Sequence, residues 1–441
     1  MGSKNEEKTM NTIVPGEWVT DNVQNKETLY ALHNNLLSEV SLPSSYRTET
    51  KRVFSKRVKC RGDATQQNSS GRCWIFAALN MMRSSGFITK NSLPQSFEFS
   101  QSYVFFWDKF ERVNYFLNVF ETTRDKDLDG RLMQFLLKEP LGDGGQWQMF
   151  VNLVEKYGVV PKDVFPETKH SSNSAGINMV LTKKVREYCR DIRAGKSRDR
   201  KVVLKEVFEL LVKFLGKPPQ TFTWEYYTKD GEAKRRDNVT PVSFYKDVVQ
   251  LDLKQYVSLI HDPRNEYGKR FGIEYLQNVA EGDEVVHLNV DMDKIVTLCK
   301  KSIDAGEPVW FGCDVGQFMR SQSNIMDEKC FDMEGFLHTS FTLNKRERIE
   351  YGESLMTHAM VITGYNEDAF GKINRWEIEN SWGSKGPGKG YYVMTDQWMH
   401  EFVYQITVRK SMLSDTEKQR LDSSDPVKKY MPWDPMGALA S

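Results

Sequence analysis

The chain has 441 residues, with 61 Lys and Arg against 60 Asp and Glu. Its length allows two or three average domains, and 39% hydrophobic, 12% aromatic and 27% charged residues make it globular, neither disordered nor fibrous. No apolar run approaches the ~18 residues of a membrane-spanning helix, and a net charge of +1 provides no global field for nucleic acid or an acidic surface.

Residues 1–50 are polar and read as an arm of irregular turns. Met1 to Lys8 is charged with no apolar segment behind it, which reads as neither signal nor transit peptide, and Glu6 stands where N-myristoylation needs Ser or Thr. A helix is expected from Cys73 to Met82, apolar on every side as in a buried helix. A second, capped by Ser100, runs toward Phe120, and a third spans Gln146 to Tyr157 with Gly158 as its stop signal. From Phe165 to Gly272 charged helical patterns such as Val202 to Phe214 alternate with turns such as Gly216-Lys217-Pro218-Pro219, the composition of a mainly helical insertion.

The final third changes period. Strand-like runs occur at Pro308 to Asp314, Met360 to Tyr365, Arg375 to Glu379, Tyr391 to Thr395 and Tyr404 to Arg409. Helices first and antiparallel strands last make an α+β chain. Its expected divisions are 1–164 (arm and helical half), 165–272 (insertion and oligomerisation region), 273–425 (β-rich half) and 426–441 (C-terminal arm). No internal repeat is visible.

Six scattered cysteines, Cys60, Cys73, Cys189, Cys299, Cys313 and Cys330, form neither a disulfide framework nor a CxxC zinc site, so free thiols and a cytoplasmic location are expected. Spacings of 14 and 17 residues among Cys299, Cys313 and Cys330, even with His338 nearby, are not those of structural zinc, and neither metal nor cofactor is expected. The two sequons, at Asn68 and Asn238, and Arg61-Gly62-Asp63 are then chance matches.

Cys73 opens its helix behind Gln67-Asn68-Ser69-Ser70-Gly71-Arg72, where unsatisfied backbone N–H groups and the positive end of the helix dipole favour a thiolate. A lone buried cysteine is more often a small core hydrophobe, so partners decide its role. A thiolate nucleophile needs an oriented base. Of seven histidines, His358 opens the strand His358-Ala359-Met360-Val361-Ile362, and Glu379-Asn380-Ser381-Trp382-Gly383 follows at the end of a neighbouring strand. Antiparallel pairing would set Asn380 beside His358, with Trp382 shielding their hydrogen bond; otherwise His358 merely caps a strand.

Gln-x5-Cys-Trp, His-Ala and Asn-Ser-Trp-Gly in this order resemble the papain-like cysteine peptidases. Phe-Ser-Gln-Ser-Tyr at Phe99, Asp-Gly-Gly-Gln-Trp at Asp143, Trp-Phe-Gly-Cys-Asp-Val-Gly at Trp310 and Trp-Asp-Pro-Met-Gly-Ala-Leu-Ala at Trp433 narrow it to the branch of bleomycin hydrolases and bacterial aminopeptidases C. The resemblance implies a papain-like fold with a helical half, an antiparallel barrel-like half and a large insertion. It implies Cys73, His358 and Asn380 as catalytic residues, Gln67 in the oxyanion hole and Trp382 in support. His358 and Asn380 lie 285 and 307 residues beyond Cys73, against ~130–150 in small papains. Ser70 stands where secreted relatives carry a disulfide cysteine, in keeping with a reducing compartment.

The last residues, Pro435-Met436-Gly437-Ala438-Leu439-Ala440-Ser441, carry no charged side chain and read either as a frayed tail or as an extended peptide suited to a cleft. The resemblance implies the second: an arm in the enzyme's own cleft, with Ala440 presenting a carboxylate to the substrate's α-amino group once Ser441 is removed. Implied substrates are peptides with a free N-terminus, bleomycin-like amides and homocysteine thiolactone; the implied assembly is a homohexamer. Two other readings stay open. Residues 183–205 hold ten basic and three acidic side chains, either a solvated face or a nucleic-acid contact. A Cys-His-Asn site can also transfer its acyl group to an amine in place of water.

Overall fold

The computed structural model describes residues 26–43, 51–196 and 199–440. Two compact units divide the chain, Met1–Glu49 with Phe331–Thr342, and Thr50–Cys330 with Leu343–Ser441. In the smaller, the helices Lys26–Asn34 and Leu37–Val40 are followed by Ser41, whose carbonyl accepts from the Asp332 amide at 2.8 Å.

In the larger unit the helix Cys73–Met82 is as apolar as its sequence requires, with all ten residues buried. It packs on the helices Gln101–Thr123 and Trp147–Tyr157 and on the strand His358–Glu367. Ser100 caps the second helix, its hydroxyl accepting from the Tyr103 amide at 3.0 Å, a contact worth roughly 1 kcal/mol. The third ends at Gly158, where φ is +72° and an added Cβ would meet the Pro241 carbonyl at 2.1 Å, so only glycine fits.

Beyond residue 165 the helices Ala175–Arg193 and Arg200–Leu215 turn Ile177, Leu181, Val185, Val207 and Leu211 inward, all buried, at helical spacing. The antiparallel hairpin Phe222–Tyr227 with Ala233–Val239 follows, joined through Gly231 at φ +83°. Tyr256–Ile260 and Arg270–Ile273 then enter the main sheet, so the end of the 165–272 stretch is strand where the sequence pattern reads mainly helix.

Among the described residues that sheet has twelve strands. Its order runs from Lys428–Tyr430 through Arg270–Ile273, His287–Asn289, Tyr256–Ile260, Val403–Arg409, Val309–Cys313, His358–Glu367, Ile373–Glu379 and Tyr391–Thr395 to the short Ile325–Met326 and Met319–Arg320, with Lys56–Arg57 on His358–Glu367. The five strands expected from the sequence lie here. Most pairs are antiparallel. Both faces of the central strand are covered: Ala359 and Val361 point to the helical core beside Trp74, while Met360 and Ile362 pack with Phe311 and the helix Met292–Asp304. Alternate residues feed different cores, which is why this strand reads as an unbroken apolar run.

Candidate active site

The two layers meet where the helix Cys73–Met82 lies against the first residues of His358–Glu367. His358 is paired with Cys313 and Ala359 with Gly312 on the adjoining strand. On the other side, Val361 pairs with Glu379, so the chain leaves that strand with Asn380 beside His358, as the sequence pattern predicts. Nε2 of His358 lies 2.9 Å from Oδ1 of Asn380. The Trp382 ring sits over the imidazole, centroids 4.9 Å apart and tilted by 39°. Cys73, His358 and Asn380 are all buried.

The segment of Gln67 is zipped to the residues after Asn380. The Gln67 amide donates to the Ser381 carbonyl at 2.9 Å, the Gly383 amide to the Thr65 carbonyl at 2.8 Å, and the Ser381 hydroxyl to Gln67 Oε1 at 2.7 Å. With Oε1 occupied, the Gln67 amide nitrogen is turned the other way, giving one N–H to the Ser70 carbonyl at 2.7 Å and keeping a second. Ser381 is thus the residue that orients Gln67.

Burial pushes the Cys73 thiol up to about 11, although the backbone N–H groups of Ala359, Trp74 and Cys73 itself face the sulfur and pull the other way. Desolvation of a single buried charge thus works against the thiolate that the helix N-terminus favours, which leaves the decision to its partners. The same cause lowers His358 to about 4, only partly offset by Asn380. Burial thus disfavours a lone charge on either group.

Charged residues that the sequence reading did not single out support the loops. Lys109 and Asp143 form a buried pair at 2.7 Å. Asp143 also accepts from the Gly71 amide at 3.1 Å, from Asn178 at 2.7 Å and from Ser174, and its carbonyl accepts from the Trp74 indole at 2.7 Å. The loop before Cys73 is thereby tied to Asp143-Gly144-Gly145, where a Cβ on Gly145 would strike the Trp74 ring at 2.5 Å. Arg83, on the turn after the Cys73 helix, pairs with Glu379, both buried, next to Asn380. Charges between large apolar residues, such as Asp108, Lys109, Glu111 and Arg112 between Trp107 and Val113, are the sequence signal for such pairs.

The C-terminal segment departs from the expected extended peptide. Pro435–Ala440 is a 3-10 turn with Met436 and Leu439 buried, because Asp434 accepts from the Met436 amide through its carboxylate (2.9 Å) and from the Gly437 amide through its carbonyl (2.8 Å). Gln146 Nε2 reaches the Met436 carbonyl at 3.4 Å and Arg112 the Ala440 carbonyl at 3.5 Å. Arg112 also donates to the Gly144 carbonyl, which joins Ala440 to the loop on Trp74. Ser441 lies outside the described residues.

Half of the ten cations of the basic run have partners within the chain. Lys184 bridges Glu187 and Glu206, Arg190 pairs with Asp191, Arg200 with Glu121, and Arg186 and Arg193 donate to carbonyls. Arg198 lies outside the described residues. Among the described residues no group of three or more His, Cys, Asp or Glu gathers as metal ligands, and no helix is long and apolar enough to cross a membrane.

A model of the Peptidase C1-like family matches residues 16–437. The chain belongs to the Peptidase C1-like family. Aminopeptidase C of Lactococcus lactis subsp. cremoris is 43% identical over 415 residues, covering 92% of this chain and 93% of that protein. Bleomycin hydrolase of Homo sapiens is 41% identical over 424 residues, covering 92% of each. The crystal structure of PepW from Lactobacillus rhamnosis HN001 shares the fold at a TM-score of 0.90 and 40% identity, over 93% of this chain and 94% of that one. The resemblance carried by the Cys-Trp, His-Ala and Asn-Ser-Trp-Gly motifs is borne out. As a Peptidase C1-like enzyme, the chain is a cysteine-type hydrolase of papain-like fold.

Proposed function

We propose that the chain is a cysteine aminopeptidase working through a thioacyl-enzyme, with Cys73 as nucleophile, His358 as acid and base, and Asn380 as the residue that orients the imidazole. The observation that carries this reading is the Nε2-to-Oδ1 contact of 2.9 Å, made on a strand whose next amide, that of Ala359, faces the Cys73 sulfur. His358 Nδ1 takes the thiol proton as sulfur attacks the substrate carbonyl. The tetrahedral oxyanion is met by the second N–H of Gln67 and the backbone N–H of Cys73, each donor worth on the order of 3 kcal/mol. The C–N bond breaks as the imidazolium protonates the leaving amine. Water, deprotonated by His358, then cleaves the thioester and releases the acid.

The joining of Ala440 through Arg112 to the loop on Trp74 supports an arm that limits the cleft. In this reading the Ala440 carboxylate, exposed after loss of Ser441, pairs with the α-ammonium of the substrate and excludes longer chains. Substrates are then peptides with a free N-terminus and aminoacyl amides, bleomycin and homocysteine thiolactone among them, handled by a cytoplasmic homohexamer as in the branch it resembles. Nucleic-acid binding by residues 183–205 is not part of this reading, since half of those ten cations already have intramolecular partners.

The test is a panel of free and N-blocked aminoacyl fluorogenic amides, with product analysis for hydrolysis against amine transfer. Free-amine substrates alone should be cleaved, to the acid, and Cys73→Ala should lose at least about 10³-fold in kcat. Equal cleavage of blocked substrates overturns the aminopeptidase assignment, and wild-type turnover by Cys73→Ala overturns the nucleophile.

A further inference from the structure

The root of the C-terminal segment is held by a charge network. Arg264 donates through Nε and Nη2 to both oxygens of Asp262, at 2.9 Å each, and through Nη1 and Nη2 to both oxygens of Asp434, at 3.1 and 2.9 Å. Asp262 is wholly buried and also accepts from the Arg264 amide at 3.0 Å and from the Tyr430 hydroxyl at 2.5 Å. Arg264 is thus seated before it meets Asp434. Paired forks of this kind are about twice as strong as neutral hydrogen bonds and fix direction as well as distance.

Past Asp434, apart from the buried Met436 and Leu439, the polar attachments are weaker and single. The Pro435 carbonyl accepts from the Met356 amide at 3.2 Å, the Met436 carbonyl from Gln146 at 3.4 Å and the Ala440 carbonyl from Arg112 at 3.5 Å. Between the clamp and the tip lie only the six residues of Pro435–Ala440, about 12 Å at the rise of a 3-10 helix. A shift at Asp434 is therefore carried to Ala440, because the compact turn between them has little slack. Asp434 makes the turn as well as the clamp, through its bond from the Met436 amide.

We infer that Arg264 is a positioning residue for the enzyme's own C-terminus. By clamping Asp434 it sets where Ala440 stops, and so how much of the cleft is left for a substrate's N-terminal residue. The inference rests on the arm reading above and names the residue that controls its register.

The decisive variant is Asp434→Asn, which removes the charge of the clamp and the oxygen that accepts from Arg264 Nη1, yet leaves the Arg264–Asp262 pair and a side-chain oxygen for the Met436 amide. The full-length enzyme is assayed with a free aminoacyl amide and with an N-blocked peptide, beside Arg264→Lys and a chain truncated after Asp434. Asp434→Asn should raise KM for the free amide about tenfold with kcat within about twofold, and should bring out cleavage of the N-blocked peptide; Arg264→Lys should fall between it and wild type. Unchanged KM and no blocked-peptide cleavage in Asp434→Asn, while the truncated chain does cleave it, overturns the role of Arg264 and leaves the arm reading standing. A truncated chain that still rejects the blocked peptide overturns the arm reading itself. A loss of kcat on the free amide with a lowered Tm and still no cleavage of the blocked peptide shows a merely structural network and counts against the inference.

Discussion

Nε2 of His358 lies 2.9 Å from Oδ1 of Asn380, and that oxygen also accepts from the Ser381 amide at 2.8 Å. The second contact settles which end of the Asn380 amide faces the ring, since a backbone N–H needs an acceptor. Nε2 must then carry the proton, which leaves Nδ1 bare for the thiol.

Asn380→Ala should therefore act on the base and not on binding. Without its acceptor the ring can turn or change tautomer, and kcat should fall about 10²-fold, the low end of the range for acid–base catalysis, with KM little changed. Steady-state kinetics on an aminoacyl amide measures both. A variant with full kcat would show that Trp382 alone holds the ring.

The opposed shifts at Cys73 and His358 make a pH prediction. Burial raises the thiol to about 11, and in the proposed mechanism the imidazolium of His358 offsets this. A raised value means that sulfur keeps its proton until the pH climbs toward that value. In His358→Ala the rate of alkylation by iodoacetamide should thus rise with pH through neutrality and show no plateau below about pH 9, whereas wild type should plateau near neutral pH. A neutral plateau in the variant would mean that the helix N-terminus suffices to ionise Cys73.

Asp143 and Lys109 offer a stability test. Burial works to raise the Asp143 carboxyl, but Lys109, with Ser174 and Asn178, holds it below the usual carboxylate range. A lowered value contributes stability above the ordinary Asp pKa of about 3.9, and this is lost as pH falls through the folded value. Asp143→Asn strands a buried ammonium and should cost about 3–5 kcal/mol in urea unfolding at pH 7. Adding Lys109→Met should recover part of that loss. If the double variant is as unstable as the single one, the cost lies in the Gly71 and Trp74 contacts instead of the charge.

Much of the site was legible because its signals are local in the chain. An all-apolar helix opened by Cys73, an apolar strand opened by His358 and a strand ended by Asn380 each follow from periodicity, and their antiparallel pairing from strand order. Strands as short as Arg270–Ile273 and His287–Asn289 were missed, since three or four residues show no period. The 3-10 turn at Pro435–Ala440 was missed because it depends on Asp434 being held in place by Arg264, 170 positions away in the chain.

By itself the sequence determined that this is a near-neutral α+β chain with cysteine, histidine and asparagine motifs in papain-like order, because backbone patterning and motif chemistry are written in neighbouring residues. Only the tertiary structure decided that Cys73 is buried, which works against its thiolate, that Ser381 turns Gln67, and that Lys109 with Asp143 and Arg83 with Glu379 brace the loops on either side. Desolvation and charge pairing depend on what surrounds a group in space, and the net charge of +1 that opened the sequence reading conceals where those opposite charges meet.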